Sequence, residues 1–117
     1  MDAQQIAEAF SRHRFREVYD RFAPDLRWRV PGQDTLEGKD AVIAACESSL
    51  AGLEQLERTE FSRFVSVAGP SMAAVDAIGH YIAADGARSV VSSADIYEFD
   101  ADGMVTTITS YAVELSD

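Results

Sequence analysis

Cysteine is almost missing from this chain. Cys46 is the one thiol in 117 residues, so no internal disulfide can form and the fold has to hold by packing. Histidine is equally scarce, with only His13 and His80, and no CxxC or His/Cys cluster stands at metal-binding spacing. Ser92, Ser93 and Ser110 lie in no GxSxG setting, which removes the nucleophile-elbow hydrolases. Gly69, Gly86 and Gly103 are isolated turn glycines, not a phosphate-cradling loop. Neither a metal nor an organic cofactor is therefore expected. Basic residues are few: 10 Lys and Arg against 20 Asp and Glu leave a formal charge of −10. Such a surface repels phosphate backbones and anionic lipid, so neither nucleic acid nor a membrane is an expected partner. No run approaches the roughly 20 apolar residues of a membrane span. The opening MDAQQIAEAF carries an early acid and no long apolar stretch, so no secretory signal is expected and a cytoplasmic location is.

What is present is a well-supplied core. Apolar residues make up 47% of the chain, enough for one domain over residues 1–117, with room for a cavity. Asp2 with Gln5 three residues on predicts a capping box, and Ile6 and Phe10 share the following helical face. Phe15, Val18, Tyr19 and Phe22 fall at i, i+3, i+4 and i+7 and predict a second helix, ended by Pro24. Leu26, Trp28 and Val30 alternate with Arg27 and Arg29, the period of a short strand, and Pro31-Gly32 closes it. After a loop carrying Asp34 and Glu37, a third helix begins near Lys39 with Val42, Cys46, Ser49, Leu50 and Leu53 facing inward. From about Thr59 the period switches to two. Phe61–Val67, Met72–Ala83, Arg88–Phe99 and Met104–Leu115 read as strands separated by Gly69-Pro70, Asp85-Gly86 and Asp102-Gly103, a run of antiparallel hairpins. The expected fold class is α+β: a cone-shaped, curved antiparallel sheet packed against three N-terminal helices, leaving a conical space suited to a small molecule.

Asp95 is the leading candidate for chemistry. It stands in VVSSADIYEF among β-branched and aromatic neighbours, where it is either a solvated strand carboxylate or a pocket group. Parity sets it with Tyr97 and Phe99, opposite Glu98. An interior carboxylate needs partners, so a protein that keeps one inside usually uses it.

The stretches FAPDLRWRVPGQDTLEGKDAV (Phe22 to Val42) and SSADIYEFDADGMVTTITSY (Ser92 to Tyr111) resemble the nuclear transport factor 2-like superfamily, in its SnoaL-like group. The resemblance implies a cone cavity, pairing of two copies through the outer sheet face, where Ile96 and Val113 would offer apolar surface, and a choice among several chemistries. It also implies that His80 points to the same side as Asp95, which would make an acid–base pair; the alternative for His80 is a structural or surface histidine. Ketosteroid isomerases of this superfamily use an Asp base with a Tyr and a protonated Asp that hold the enolate oxygen. By resemblance the oxyanion Asp falls on Asp95, but the Tyr falls on Ile6 and the base on or near Val30, and a hydrocarbon can do neither task. Epoxide hydrolases of the limonene type need an Asp-Arg-Asp cluster, and no Arg-x-Asp stands on a neighbouring strand.

Trp28 is a pocket wall or plain core, and Tyr97 and Tyr111 either pack or place a hydroxyl in the cavity. Arg27 and Arg29 should face away from the core and pair with surface acids. Asp34 and Glu37 sit either at a cavity mouth or in a solvated loop, the commoner place for such residues, and His13 between two arginines reads as a solvated loop residue. Two functions remain. One is an acid–base enzyme (isomerase, cyclase, dehydratase or hydrolase) for a small apolar substrate, with Asp95 and His80 catalytic and Trp28, Tyr97 and Tyr111 binding. The other is a non-catalytic ligand-binding or dimerisation module built on the same cavity.

Overall fold

A computed structural model describes residues 1–115. Helix α1 (Ala3–Ser11) begins as the capping box predicts. The Asp2 carboxylate accepts from the Gln5 amide at 2.8 Å, and the Gln5 side chain accepts from the Asp2 amide at 2.9 Å. Strands β1 (Phe22–Arg29) and β2 (Leu36–Glu37) follow, then helix α2 (Lys39–Glu54). Strands β3 (Arg58–Ala68), β4 (Met72–Ile82), β5 (Arg88–Phe99) and β6 (Val105–Leu115) complete the chain. Together the strands make one six-stranded sheet in the order β2-β1-β6-β5-β4-β3.

The last four strands form the expected antiparallel meander, each paired with the next. The sheet as a whole is mixed, because β1 runs parallel to β6. Leu36–Glu37, expected as loop, is a short strand antiparallel to β1. It sets Arg27 across from Glu37 in an exposed ion pair of 3.3 Å, the surface role expected for Arg27.

The second expected helix is absent. Phe15–Glu17 and Tyr19–Arg21 are two separate 3-10 turns, so the α-helices number two and not three. The apolar stripe is nevertheless used: Phe15, Val18 and Phe22 are all buried in the core. A chain turning twice can deliver the same spacing inward as a continuous helix, and Phe22 has already extended into β1. Pro24 is tolerated inside β1 because the ladder to β6 breaks between Phe22 and Arg27, where a missing amide costs nothing. The turns are tied to α2 by Glu47, which accepts from Arg16 through two nitrogens at 2.8 and 3.0 Å and from the Tyr19 hydroxyl at 2.6 Å. The hydrogen bonds from Arg16, then from Tyr19, hold the Glu47 carboxyl down at about 2.

The core lies between α1, the turns, α2 and one face of the sheet, with Phe10, Phe22, Leu26, Tyr97 and Ile108 at its centre. Cys46 faces into it from α2 as a small apolar group, and burial pushes its thiol up to about 12. Among the described residues no helix is long and apolar enough to cross a membrane.

Candidate functional site

Above this core the sheet and helices part to leave a cavity of about 390 Å³. Its walls come from the C-terminal end of α1 and the residues after it, from Trp28 of β1, from Ser49, Gly52 and Leu53 of α2, and from the inner faces of β3 to β6. On β5 the inner positions are Val91, Ser93 and Asp95, with Tyr97 next along, fully buried beneath the cavity floor. Asp95 is the one carboxylate among the lining residues.

Two chains of hydrogen bonds end on that carboxylate. The Ser110 hydroxyl donates to Asp95 Oδ1 at 2.6 Å, and the Trp28 indole N–H reaches Ser110 Oγ at 3.0 Å. Indole nitrogen can only donate, so Ser110 must accept from it and pass its own proton towards Asp95. On the other side the Ser11 hydroxyl donates to Oδ2 at 2.7 Å and lies 2.6 Å from the Tyr97 hydroxyl. With Ser11 donating to Asp95, Tyr97 donates to Ser11. Both serines thus point a proton at the carboxylate, each backed by a donor of its own, an arrangement built for an acceptor. Burial, and then the Asp95 charge, lift the Tyr97 hydroxyl well above its ordinary range, so it remains a donor.

A second polar pair lines the same cavity. The His13 ring nitrogen Nε2 and the Tyr81 hydroxyl are 2.9 Å apart. Burial lowers the His13 pKa, and the Asp95 charge offsets only part of that. The Tyr81 pKa is raised by burial, then by Asp95. His13 is therefore a neutral imidazole beside a protonated phenol. Its backbone is left-handed, with φ of 65°. It sits just past the end of α1, where its own amide bonds to Phe10 O and the next amide, from Arg14, bonds back to Ala9 O, both at 2.9 Å. That is the Schellman pattern, whose left-handed position is normally glycine. Tyr81 leans back along β4 over Gly79: a Cβ there would meet its hydroxyl at 2.9 Å.

The SnoaL-like domain profile matches residues 3–108. The chain belongs to the SnoaL-like domain family. Its fold is that of the nuclear transport factor 2-like proteins. An NTF2-like protein of unknown function from Cytophaga hutchinsonii is 28% identical, with 93% of this chain covering 94% of that one at a TM-score of 0.78. An LEH-like epoxide hydrolase of Mycobacterium tuberculosis shares the fold at 16% identity, covering 92% of this chain and 77% of that one, with a TM-score of 0.65. SalBIII, an epoxide hydrolase/cyclase-like enzyme of pyran ring formation in the polyether salinomycin, shares it at 16% identity, over 96% and 93% of the two chains, with a TM-score of 0.64. No curated protein matches the sequence.

This SnoaL-like domain brings together only part of the site expected from its sequence. Asp95 and Trp28 line the cavity. Tyr97 lies below it and acts through Ser11. His80 does not meet Asp95. The unbroken β4–β5 register places Val75 opposite Asp95 and His80 opposite Val90, so His80 is on the other face of the sheet, where its Nε2 is 2.8 Å from Ser62 Oγ. Tyr111 faces outward by the same parity, next to the inward Ser110, and is 48% exposed. The histidine in the cavity is His13, read from sequence as a solvated loop residue. Its signal was backbone geometry after a helix end, which side-chain periodicity does not carry. Tyr81, Ser11 and Ser110 were missed for a related reason: each matters only through its partner. Asp34 and Val30 line a neighbouring pocket that shares Trp28 and Ser49 with this one, and Ile6 is core. Neither hydrocarbon offers the donor or base of the isomerase scheme. Among the described residues no three His, Cys, Asp or Glu side chains gather as metal ligands would.

Proposed function

We propose that this SnoaL-like domain is an acid–base enzyme acting on a small, mostly apolar molecule in the cone cavity. Asp95 takes a proton from the ligand or from a water beside it, and Tyr81 gives one to an oxygen of the ligand. His13, as the neutral Nε2–H tautomer, donates to the Tyr81 oxygen and so leaves the phenol proton free for the ligand. The proton gained by Asp95 and the one lost by Tyr81 are exchanged with solvent after the reaction. Isomerisation, cyclisation, dehydration and hydrolysis all need this pairing of acceptor and donor across one substrate. The observation that carries the reading is the polarity of the network on Asp95: Ser110 and Ser11 both donate to it, from 2.6 and 2.7 Å. Each carboxylate oxygen keeps a further acceptor site for a substrate proton.

A non-catalytic ligand-binding module is the second reading. It is favoured by the same network, since a carboxylate satisfied by two serines also serves as a fixed recognition group. Turnover separates the two. Wild-type protein and Asp95→Asn are to be assayed against small epoxides, β-hydroxyketones and cyclic enones. The amide is nearly isosteric, so circular dichroism should be unchanged. The expected result is turnover of at least one class, lowered on the order of 100-fold or more in the variant. Wild type inert to all three classes, or activity that survives the substitution, would sink the enzyme reading.

A further inference from the structure

The cavity is one-sided in its electrostatics. Its polar lining holds one carboxylate, Asp95, and its titratable imidazole, His13, is neutral there. No lysine or arginine is among the residues that line it. Much of the remaining wall is aromatic: Phe10, Phe15, Trp28, Phe61 and Tyr81. These rings are not a parallel stack. Phe10 meets Phe15 at 61° with centroids 4.8 Å apart, and meets Trp28 at 81° and 5.2 Å. Rings inclined to one another in this way cannot all turn the same edge to a guest, so a molecule in the cavity is met by aromatic surface from more than one direction. The same aromatic cluster already holds a cation at its exposed rim, where the Arg12 guanidinium lies 3.8 Å from the Phe64 centroid and 5.6 Å from that of Phe61.

We infer that the cavity selects a small organic cation, a compact ammonium-type group, over a neutral molecule of the same shape, and rejects the corresponding anion. The inference rests on the reading of this cavity as a ligand site and narrows its ligand class. The reasons are independent of one another. π-faces attract a cation and do so more strongly when water is excluded. A fixed carboxylate with no basic neighbour in the wall leaves negative charge for the guest to balance. The chain as a whole carries a formal −10, so its field draws cations in and holds anions off. An enolate or carboxylate guest would find hydroxyl donors in the wall, while the nearest guanidinium, Arg12, lies at the rim and is held against Phe64 and Phe61. A substrate that is cationic, or that gains positive charge as it reacts, finds both the rings and Asp95.

Trp28 is the one tryptophan in the chain and stands in the cavity wall, so its fluorescence reads occupancy. Three soluble probes of matched shape test the inference: choline, 3,3-dimethyl-1-butanol and 3,3-dimethylbutanoate. A quaternary ammonium donates no hydrogen bond from nitrogen, so the contrast between the first two isolates charge. Choline should bind tighter than the alcohol by about tenfold or more, with the carboxylate weakest. In Asp95→Asn the ratio of choline affinity to alcohol affinity should shrink towards one. If wild type binds the alcohol as well as choline or better, the cation inference falls and the cavity remains a ligand site. If no probe perturbs Trp28, the ligand-site reading falls with it. The wild-type ratio decides the matter even if the variant folds poorly.

Discussion

His13 occupies a backbone position that glycine ordinarily takes, and the left-handed conformation costs a residue with a Cβ roughly 1–2 kcal/mol. Strain of this kind persists where the surroundings over-determine it, and at functional sites it is part of the arrangement. Here it swings the imidazole off the end of α1 and into the cavity, against Tyr81. The charge state of His13 has a consequence for stability. Its folded-state pKa lies below the ordinary 6.5 because burial disfavours the imidazolium. The unfolded chain therefore takes up a proton near 6.5, and the folded chain only at lower pH. Stability should be intact above 6.5 and fall as pH drops through the folded pKa. Glu47 acts in a separate window: its carboxyl, held at about 2 against an ordinary 4.5, contributes stability present above 4.5 and lost as pH falls through 2. Urea denaturation at a series of pH values should show the first decline, and His13→Asn should remove it. Asparagine is the right replacement because it enters the left-handed region readily. A wild-type curve flat from pH 7 to 5 would show that His13 is not desolvated.

At the scale of elements, β4 carries the cavity's least obvious requirement. Gly79 is an inward position on that strand, opposite Val91 of β5, and its missing side chain is the space into which Tyr81 folds back. Gly79→Ala should push the Tyr81 ring aside, break its contact with His13 and cost about 1 kcal/mol in stability, the usual net worth of one hydrogen bond. The His13 ring resonance, one of only two histidine signals in the chain, should then titrate at higher pH than in wild type, because the imidazole gains solvent. An unmoved titration would mean that Tyr81 does not depend on the glycine.

Element by element, the sequence was readable where one local rule decides. The capping box at Asp2, the turn glycines and the alternating runs after Thr59 placed α1 and the meander, and parity along β5 put Asp95 inside. It was unreadable where two local structures share one pattern. The stripe Phe15, Val18, Tyr19, Phe22 marks the buried residues correctly, but 3-10 turns satisfy it as well as a helix does. The partner of Asp95 was misplaced because the resemblance set His80 on the inner face, whereas the β4–β5 register sets it on the outer one. A sheet has a period of two, so a shift of one residue carries a side chain to the opposite face, and His80 is one residue from the inward Gly79 and Tyr81. Nothing local announces that β1 will lie parallel to β6, since that pairing joins residues about 80 positions apart.

For the molecule as a whole, the outer sheet face is the surface left to account for. Val65, Val67, Tyr111, Val113 and Leu115 are exposed large apolar side chains, with Val67 and Val113 each 63% exposed. Val67, Met72, Ala74 and Ile96 line a shallow apolar groove at the β3–β4–β5 side. An apolar face of this kind on a strongly acidic chain is expected to pair with a second copy of itself. Light scattering at micromolar concentration should give twice the chain mass of 12.8 kDa. The dimer should tighten with added salt, because the two copies repel as like charges and salt screens that repulsion. Val113→Glu should yield monomer. A wild-type mass of one chain across dilutions would count against pairing.

The parallel seam between β1 and β6 also sets an order of assembly. The meander from β3 to β6 joins neighbours in the chain, so it can zip up from its own hairpins. Strand β1 has β2 and β6 as its sheet neighbours. A nascent chain that has released β1 must leave most of that strand's backbone unpaired until Val105–Leu115 has been made. The cavity is split across the same divide: Ser11 and Trp28 come from the first quarter of the sequence, Asp95 and Ser110 from the last. Asp95 therefore has both hydrogen-bond chains complete only once α1 and β1 have docked on the meander.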